Sequence, residues 1–451
     1  MKVLWLCNIM LPVIAQSLGL PASNKEGWLS GIAGKMVRSA GEPGAPDLSI
    51  CFPIDPHMAK ALQSRQLPSF AAYANGLLVG KACGLRFYGF EENTLMPEVY
   101  DARVEDYLKR IISDVEPDVV HCFGTEYPHT LAMTRAFNRP KRTLIGIQGL
   151  CSVYADEFMA DLPLNVQWRM TPRDFIRHDS LRQQQKKYRK RGAYEIEALQ
   201  NAGHVTGRTD WDRHWTHVYN PNAEYHFMNE TLRSNFYGHE AKWAYGDTNP
   251  YSIFVSQGNY PIKGLHYLLW ALPKILEQYP DTHVYVAGDR VTRNDTFVDF
   301  VKLSGYGLYL KQLLITKRMR HAVTFLGRLT AEEMRQQFLS CHVFVSPSSI
   351  ENSPNSVGEA MLLGVPVISS DVGGVHNMLK DGEEGWLYPK ADTDALAERI
   401  LYVFDSANRA KVLATGVRAS VHAGKTHDPK TNYDRLLEIY REIAGEKETT
   451  V

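Results

Sequence analysis

The chain has 451 residues, with 50 Lys and Arg against 50 Asp and Glu, so its formal net charge is +0. This length predicts about two to four domains, and the charge balance argues against a general nucleic-acid-binding protein. Hydrophobic residues make up 44% and charged residues 22%, which is typical of globular proteins and argues against a disordered chain.

The first residues allow two interpretations. Residues 1–22 carry one Lys before an apolar stretch and faintly resemble a signal peptide. Asn8, Pro12 and Gln16 interrupt this stretch, which favours a buried strand Lys2–Cys7 followed by a loop. No apolar run approaches the ~18–20 residues that span a bilayer, so membrane contact is expected to be peripheral. The expected location is the cytoplasm, with contact to the inner face of the membrane as an open alternative.

Short apolar runs alternate with amphipathic stretches through most of the chain, which is the pattern of parallel α/β sheets. The pattern occurs twice, before and after a less regular middle. The predicted strands are Lys2–Cys7, Leu48–Cys51, Val119–Cys122, Leu144–Ile147, Ser252–Ser256, His283–Ala287, Val323–Leu326, Val343–Ser346 and Val365–Ser369. The predicted helices include Leu265–Gln278, Ala331–Leu339, Ser356–Leu363 and an amphipathic last helix within Lys430–Ile443.

The domain boundary is predicted from composition. Residues 244–251 contain Gly, Asn and Pro and are typical of a linker. We therefore predict one α/β domain at 1–245, a second at 246–428, and a terminal helical segment at 429–451. The six cysteines are scattered, without a Cys-x-x-Cys pair, which favours reduced thiols over a disulfide framework or a zinc ribbon.

A basic segment lies in the middle of the chain. Between Arg169 and Arg191 nine basic residues stand against Asp174 and Asp179. One interpretation is a solvated helical face. The other is a surface for an anionic partner, with acidic lipid headgroups as the favoured partner.

The richest motif is the stretch from Val343 to Trp386, in which a strand leads through a polar loop into a helix. Pro354 precedes the predicted helix start, so that the backbone N–H groups of the three residues Asn355, Ser356 and Val357 would be free to bind an anion such as a nucleotide diphosphate. Glu359 is expected in the first helical turn, where it would accept hydrogen bonds from ribose hydroxyls. Glu351 would grip hydroxyls of an attached sugar from the loop.

Each glutamate alone also has an ordinary explanation. A first-turn Glu often stabilises a helix by ~0.3–1 kcal/mol, and a loop Glu usually faces water. The two together, at this spacing and before Gly364–Ile368 and Gly373-Gly374, favour a site.

This stretch resembles the signature of retaining glycosyltransferases of family 4, of the bacterial polysaccharide-biosynthesis type, with Glu351 and Glu359 at the two positions of their Glu-x7-Glu motif. Upstream segments similar to the family occur in the family's order, and weaker similarity reaches the N-terminal half. These segments are Phe254–Ile275, Val284–Arg290 and Val323–Met334, and then Pro117–Glu126 and Thr143–Leu150.

The resemblance implies the GT-B fold, in which two Rossmann-like domains face each other across a cleft and the last helix crosses back to the first domain. The first domain would bind the acceptor and the second the nucleotide sugar. The family transfers sugars with retention and without a metal, so the implied function is a retaining hexosyltransferase for surface polysaccharide or glycolipid synthesis. Its donor would be a nucleotide diphosphate sugar, with no further cofactor, and its acceptor a glycan or a lipid-linked glycan.

The resemblance also implies roles for single residues. Lys263 matches the family's phosphate-binding lysine and, with Glu351, would stabilise the departing diphosphate and the reacting sugar. The base would be held near Arg328 and Leu329. Gln148 stands where many members have His, so it can bind a hydroxyl but cannot carry a proton.

Two further positions depart from the family pattern. The usual phosphate-binding Arg is replaced by Gly258, so Arg290, Arg328, Arg208 or the N–H groups of Gln257 and Gly258 are candidate substitutes. Gly27 departs from the paired glycines of an acceptor loop and, with Glu126 and Arg208, is a candidate acceptor contact. An ion pair of Arg208 with Asp210 or Asp212 is an equal alternative.

Two other functions stay open. A sugar-nucleotide epimerase has the same architecture, although the Glu-x7-Glu block favours transfer. A catalytically weak donor-binding subunit is favoured by Gly258 and Gln148 and disfavoured by Glu351, Glu359 and Lys263.

Overall fold

The computed structural model describes residues 1–20, 27–238, 242–292, 296 and 301–445, and of residues 27 and 28 only the backbone. By their internal contacts these residues form two compact units. Unit 1 comprises Met1–Val153, Lys187–Thr231 and His427–Val451, and unit 2 comprises Tyr154–Lys186 and Leu232–Thr426.

The strands and helices alternate as an α/β fold requires. The strands are β1 (Lys2–Leu6), β2 (Asp47–Ile54), β3 (Ala71–Ala74), β4 (Leu77–Ala82), β5 (Leu85–Glu91), β6 (Val119–Phe123), β7 (Thr143–Gly146), β8 (His204–Gly207), β9 (Glu224–Phe227), β10 (Ser252–Val255), β11 (His283–Ala287), β12 (Val323–Gly327), β13 (Val343–Ser346), β14 (Val367–Asp371) and β15 (Trp386–Pro389). The α-helices are α1 (Pro12–Ser17), α2 (Gly27–Arg38), α3 (Pro56–Gln63), α4 (Arg103–Val115), α5 (His129–Phe137), α6 (Cys151–Glu157), α7 (Leu164–Gln167), α8 (Pro172–Arg177), α9 (Leu181–Gln200), α10 (Asp210–Tyr219), α11 (Leu265–Gln278), α12 (Gly305–Thr316), α13 (Ala331–Ser340), α14 (Asn355–Leu363), α15 (Thr393–Phe404), α16 (Arg409–Thr426) and α17 (Pro429–Ala444).

Unit 1 is built on a sheet with the described strand order β3-β4-β5-β2-β1-β6-β7-β8-β9. Its strands from β5 to β9 pair in parallel, while β3 and β4 add antiparallel strands at one edge. The central strand β1 is buried from Val3 to Leu6, because helices cover both faces of a parallel sheet. This confirms the predicted N-terminal strand.

Unit 2 is built on a parallel sheet with the described order β12-β11-β10-β13-β14-β15. Each unit is therefore Rossmann-like, and the predicted α/β class is confirmed. The carboxyl ends of β10 and β13 lie side by side at the middle of this sheet. Ligands bind at such an edge in open parallel sheets.

The last helix packs within unit 1. Tyr440 of α17 is fully buried, accepts a hydrogen bond from Trp5 Nε1 at 2.7 Å and lies 2.8 Å from His121 Nδ1. Burial lowers the pKa of His121 to about 3, so this ring is neutral at physiological pH. The predicted apolar stripe of the helix is confirmed, because Tyr433, Leu436, Leu437, Tyr440 and Ile443 are all buried.

Two local expectations are corrected. The expected loop after β1 contains α1, which begins at Pro12, where the missing N–H of proline leaves no helical bond unmade. The strand expected at Val365–Ser369 is shifted to Val367–Asp371. Pro366 cannot donate to the ladder, although its carbonyl accepts from Phe344 N.

The contact units divide the chain differently from the contiguous domains that composition predicts. The segment Tyr154–Lys186 belongs to unit 2. His266 Nε2 donates to Ala160 O at 2.7 Å, and the hydroxyl of Tyr267 donates to Asp161 at 2.6 Å. These polar contacts to α11 attach the segment to its own unit. The three-part division at 245 and 428 stays a prediction.

Candidate functional site

The loop from Pro347 to Pro354 leads from β13 to α14 in unit 2 and is unusually polar for its depth. Five of its polar side chains are buried, namely Ser348, Ser349, Glu351, Asn352 and Ser353. Buried polar groups are retained where they bond to each other, to the backbone or to a ligand. The loop therefore places a group of buried polar side chains at the carboxyl end of β13.

Glu351 and Lys263 are brought together in this loop. Lys263 Nζ lies 2.5 Å from Glu351 Oε1, and Ser348 Oγ donates to the same oxygen at 2.7 Å. Lys263 ends the short turn Pro261–Lys263 after β10, and the Ser349 N–H binds this turn through Ile262 O at 2.8 Å. The Lys263 ammonium group and the Glu351 carboxylate are thus paired and mostly buried in unit 2.

Glycine makes these close approaches geometrically feasible. Gly264 has φ +67, and a Cβ there would lie 1.7 Å from Pro347 O. Gly373 has φ +55, and a Cβ there would lie 1.8 Å from Glu351 O. Only glycine fits both the positive φ and the contact, so Gly264 and Gly373 allow the Lys263 turn to approach Pro347 and the β14 loop to approach the Glu351 backbone.

In the described structure, two N–H groups at the N-terminus of α14 precede the first helical hydrogen bond, rather than the three expected. The helix begins at Asn355 after Pro354, as the sequence predicts. Val357 N already donates to Pro354 O at 2.9 Å, so the expectation of a free N–H at Val357 is wrong. The N–H groups of Asn355 and Ser356 precede this first bond and point out of the helix end, as in anion sites.

Glu359 lies deeper than expected. It is the fifth residue of α14, beyond the first turn, which corrects its predicted position. Its side chain is 3% exposed, and Arg233 binds both carboxylate oxygens at 2.6 Å. Burial raises the pKa of Glu359, while the Arg233 guanidinium opposes the increase. The predicted contact with ribose stays a prediction.

Gly258, in the loop after β10, packs closely against buried apolar side chains. A Cβ on Gly258 would lie 2.7 Å from Leu265 Cδ2 and 3.0 Å from Val286 Cγ1. Any larger residue at position 258 would therefore require Leu265 and Val286 to shift. Gln257 is half-buried, and the buried Oδ1 of Asn259 has no hydrogen-bond partner among the described residues.

The two candidate substitute cations of unit 2 are exposed. Arg328 binds Asp289 at 2.6 and 3.2 Å, and both side chains face solvent. Arg290 is exposed, with its Nε 3.6 Å from the Cβ position of Gly327. Leu329 follows directly and is half-buried. These residues cluster after β11 and β12, while their predicted contacts with phosphate and base stay untested.

In unit 1, Gln148 and Arg208 meet a glutamate that sequence reasoning missed. Gln148 Nε2 donates to Glu230 Oε1 at 2.6 Å, and Arg208 Nη1 lies 2.9 Å from the same atom. The backbone N–H of Arg208 donates to Asp212 Oδ2 at 2.9 Å. Burial raises the pKa of Glu230 against the opposite effect of Arg208. Its Oε2 has no hydrogen-bond partner among the described atoms.

Glu126 lies at the neighbouring strand end. A Cβ on Gly124 would lie 2.2 Å from Glu126 Oε2 and 3.0 Å from Asn8 Nδ2. Burial raises the pKa of Glu126, and in the described structure its Oε2 has no hydrogen-bond partner. Asn8 Oδ1 lies 2.9 Å from His129 Nε2, and His129 Nδ1 lies 2.6 Å from Glu92. Nothing in the sequence pattern signals this buried chain.

Gly27 is the first residue of α2 rather than part of a loop, so the expected acceptor loop is corrected at this residue.

The structure brings the predicted residues together in two groups. Lys263, Glu351, Asn355 and Ser356 lie around one loop of unit 2, while Gln148 and Arg208 share Glu230 in unit 1.

Residues 249–406 match the family model described as Glycosyl transferases group 1. An uncharacterised glycosyltransferase of Methanocaldococcus jannaschii is 34% identical over 146 residues, which are 32% of this chain and 33% of that protein. A phosphatidyl-myo-inositol mannosyltransferase of Mycobacterium tuberculosis is 27% identical over 199 residues, which are 43% and 47% of the two chains. The chain therefore matches a third to a half of the length of these relatives.

Solved structures match almost the whole chain in fold. Sucrose-phosphate synthase from Thermosynechococcus elongatus matches with TM-score 0.66 and 14% identity, over 99% of this chain and 100% of that chain. Anabaena HepE in complex with UDP-glucose matches with TM-score 0.63 and 15% identity, over 98% and 100%. The chain therefore has the GT-B fold of two Rossmann-like domains, and its residues 249–406 are similar in sequence to the group 1 glycosyltransferases.

Proposed function

We propose that the chain is a retaining glycosyltransferase of family 4 that moves a sugar from a nucleotide diphosphate sugar to a glycan or lipid-linked acceptor. The observation that carries this proposal is the buried pair of Lys263 and Glu351, held by Gly264 and Gly373 beside the N-terminus of α14. All of these residues lie within the range that matches the family model.

The donor diphosphate would bind to Lys263 and the N–H groups of Asn355 and Ser356. A fixed ammonium group and a helix N-terminus both favour the negative charge that grows on the leaving phosphate. Such an arrangement supplies charge stabilisation without a metal ion. With Gly258 in place of Arg, Lys263 provides the fixed cation of this loop.

Glu351 would position the transferred sugar. Lys263 and Ser348 hold one of its oxygens, and an ionised carboxylate accepts further hydrogen bonds through its remaining lone pairs. Sugar hydroxyls are suitable donors to it. Fixing the sugar at both its hydroxyls and its phosphate aligns the bond that breaks.

The proton of the acceptor hydroxyl would pass to the leaving phosphate. The C1–phosphate oxygen bond breaks, the acceptor oxygen bonds to C1 on the same face, and the phosphate keeps the electron pair and takes the proton. Gln148 would bind a hydroxyl and takes no part in proton transfer, because an amide cannot carry a proton. Arg208 and Glu126 are the proposed acceptor contacts.

The test is a transfer assay with UDP-, GDP- and ADP-sugars and a panel of glycan and lipid-linked acceptors, read by nucleotide diphosphate release and by NMR of the product anomer. We expect one donor to react with retained configuration, and Glu351→Gln to reduce turnover at least 100-fold. The exposed carboxylate variant Glu398→Gln serves as the control. An inverted product contradicts retention.

Two outcomes of the same assay would select the other candidate functions. Release of a 2-epimer of the sugar nucleotide without an acceptor would identify an epimerase. Donor binding without turnover over the whole panel would identify a donor-binding subunit.

We further propose that unit 2 contacts an anionic membrane through Leu164–Lys186. Five large apolar side chains here are 53–73% exposed, namely Leu164, Trp168, Met170, Phe175 and Ile176. Isolated exposed apolar residues are ordinary, but five within thirteen positions form a patch that indicates a docking surface. Trp and Phe among basic residues suit a lipid interface.

The basic residues favour anionic lipid over a neutral partner. Arg177 and Lys186 of the same segment are exposed, and each such charge adds about 1 kcal/mol near an anionic surface. Arg191 is less available, since its Nε donates to Glu126 O at 2.8 Å. No helix in the described ranges combines the length and apolar character needed to cross a membrane.

Vesicle cosedimentation tests this surface. Binding to phosphatidylglycerol vesicles, much weaker binding to phosphatidylcholine, and loss with Phe175→Ser/Ile176→Ser are expected. Val417→Ser/Val421→Ser removes apolar side chains of similar exposure from α16 and should bind like wild type. Equal behaviour of the two double variants would contradict the assignment.

A further inference from the structure

A second cluster of chemically active side chains lies in unit 1, on β8 and β9. His204 pairs in parallel register with Glu224, and His226 lies two residues further along β9. Side chains two residues apart on a strand point to the same face, as do paired residues of neighbouring strands. The two imidazoles and the carboxylate therefore share one face of the sheet.

Their distances fit one ion. His204 Nδ1 lies 3.0 Å from His226 Nε2 and 3.5 Å from Glu224 Oε2, and the three ligand atoms all lie within 4.8 Å of one another. With metal–ligand bonds of about 2.0–2.1 Å, neighbouring ligands of a tetrahedral zinc ion are about 3.3 Å apart. The two distances from His204 Nδ1 bracket this value.

The His226 ring also has a carboxylate partner outside the cluster. His226 is 3% exposed, and its other ring nitrogen, Nδ1, lies 3.3 Å from Glu442 Oε2 of α17. Glu442 is held in turn by Arg435 at 3.2 Å. Metal-bound histidines usually donate their second N–H to a carboxylate or carbonyl in this way.

We propose that His204, His226 and Glu224 bind a divalent transition metal ion, with zinc the best match to this ligand set, and that Glu442 orients His226. Imidazole and carboxylate ligands suit zinc, whereas magnesium and calcium prefer oxygen alone. The exposed Glu224 leaves an entry path from solvent. A water molecule would complete the tetrahedron.

The ion would have a structural role, because it would connect β8 and β9 to the last helix through Glu442. The site shares no residue with the donor or acceptor groups. The proposed ion would therefore take no part in the sugar transfer, whether or not that reaction needs a metal. The alternative is a plain imidazole–imidazole hydrogen bond at 3.0 Å, which needs no ion. The two interpretations differ in what the protein binds.

The test uses full-length protein in a Cys83→Ser background, since Cys83 is an exposed thiol that could bind zinc. After dialysis against EDTA, the protein is titrated with Co²⁺ and followed by visible absorption, then with Zn²⁺ in competition with a chromophoric chelator. We expect one equivalent of Co²⁺ with the intense bands of tetrahedral cobalt, displaced by Zn²⁺.

Variants assign the ligands. His226→Ala and His204→Ala should abolish the cobalt bands, and Glu224→Gln, at an exposed position that does not endanger folding, should weaken Zn²⁺ at least tenfold. Glu442→Gln should weaken it by about 10- to 100-fold. His217→Ala on α10, whose ring binds only a local carbonyl in the described structure, is the control. Absence of stoichiometric binding, or wild-type affinity in Glu224→Gln and both histidine variants, would overturn the proposal.

Discussion

Arg233→Ala tests the ion pair that fixes Glu359 in α14. Arg233 binds both oxygens of Glu359 at 2.6 Å, and Glu359 is 3% exposed. Removing the guanidinium leaves a buried carboxylate without its cation. Breaking a buried pair in this way costs about 3–5 kcal/mol, whereas loss of an exposed pair costs about 0–1 kcal/mol.

The loss should depend on pH. Burial already raises the pKa of Glu359 in the presence of Arg233, and without Arg233 the pKa rises further. The folded variant then binds a proton that the unfolded chain releases at lower pH, so its stability falls as pH rises. The destabilisation by Arg233→Ala should therefore be largest above neutral pH and decrease towards pH 5.

The assay is urea unfolding of the full chain at pH 5 and pH 8. Arg328→Ala is the matched control, because Arg328 binds Asp289 with the same bidentate geometry at the surface. Arg233→Met/Glu359→Gln should recover most of the stability, since it leaves no buried charge. A loss for Arg233→Ala no larger than that for Arg328→Ala would refute the reasoning.

Three further changes follow from the packing. Gly264→Ala should destabilise unit 2 and weaken donor binding, because its Cβ would lie 1.7 Å from Pro347 O at φ +67; thermal unfolding and nucleotide titration measure both. Tyr440→Phe should cost about 1–3 kcal/mol in unfolding experiments, since it leaves the buried Trp5 Nε1 without its acceptor. Burial raises the pKa of Glu195 to about 7, so the folded state holds a proton that the unfolded state has lost, and the contribution of Glu195 to stability should fall by about 3 kcal/mol between pH 4.5 and 7. Glu195→Gln should remove that fall in unfolding measured across this pH range, and an unchanged slope would contradict it.

The sequence predicts the buried strands well because their apolar runs are continuous. It misses β8, β9 and β15, which are four residues long, and β3, β4 and β5 at one edge of the unit 1 sheet, where β3 and β4 add antiparallel strands. Strand β3 alternates between half-buried and exposed Ala and Tyr residues, and Arg86 and Gly89 interrupt the apolar run of β5. Without a continuous apolar run, the remaining signal is the alternation of apolar and polar residues with a period of two. In strands of four to seven residues this alternation is a weak signal.

The candidate site is predicted where its residues are close in the chain. The loop from Ser348 to Glu351 and the start of α14 after Pro354 follow from local pattern. Arg233 and Glu359 are 126 positions apart, and no local pattern joins them. Arg208 pairs with Glu230 as well as bonding to its neighbour Asp212. Asp212 also caps α10, because it accepts a hydrogen bond from the N–H of Thr209.

Calorimetric titration of UDP, GDP and ADP into wild-type protein and Lys263→Ala tests the central claim most directly. A charged hydrogen bond contributes about 1.5–3 kcal/mol, so one nucleotide should bind wild type and bind Lys263→Ala about 10- to 150-fold more weakly. Lys274→Ala, an exposed lysine of the same unit, should bind like wild type. Equal affinity of Lys263→Ala and wild type for the nucleotide, or no binding of any of the three, would contradict a donor site at Lys263 and Glu351.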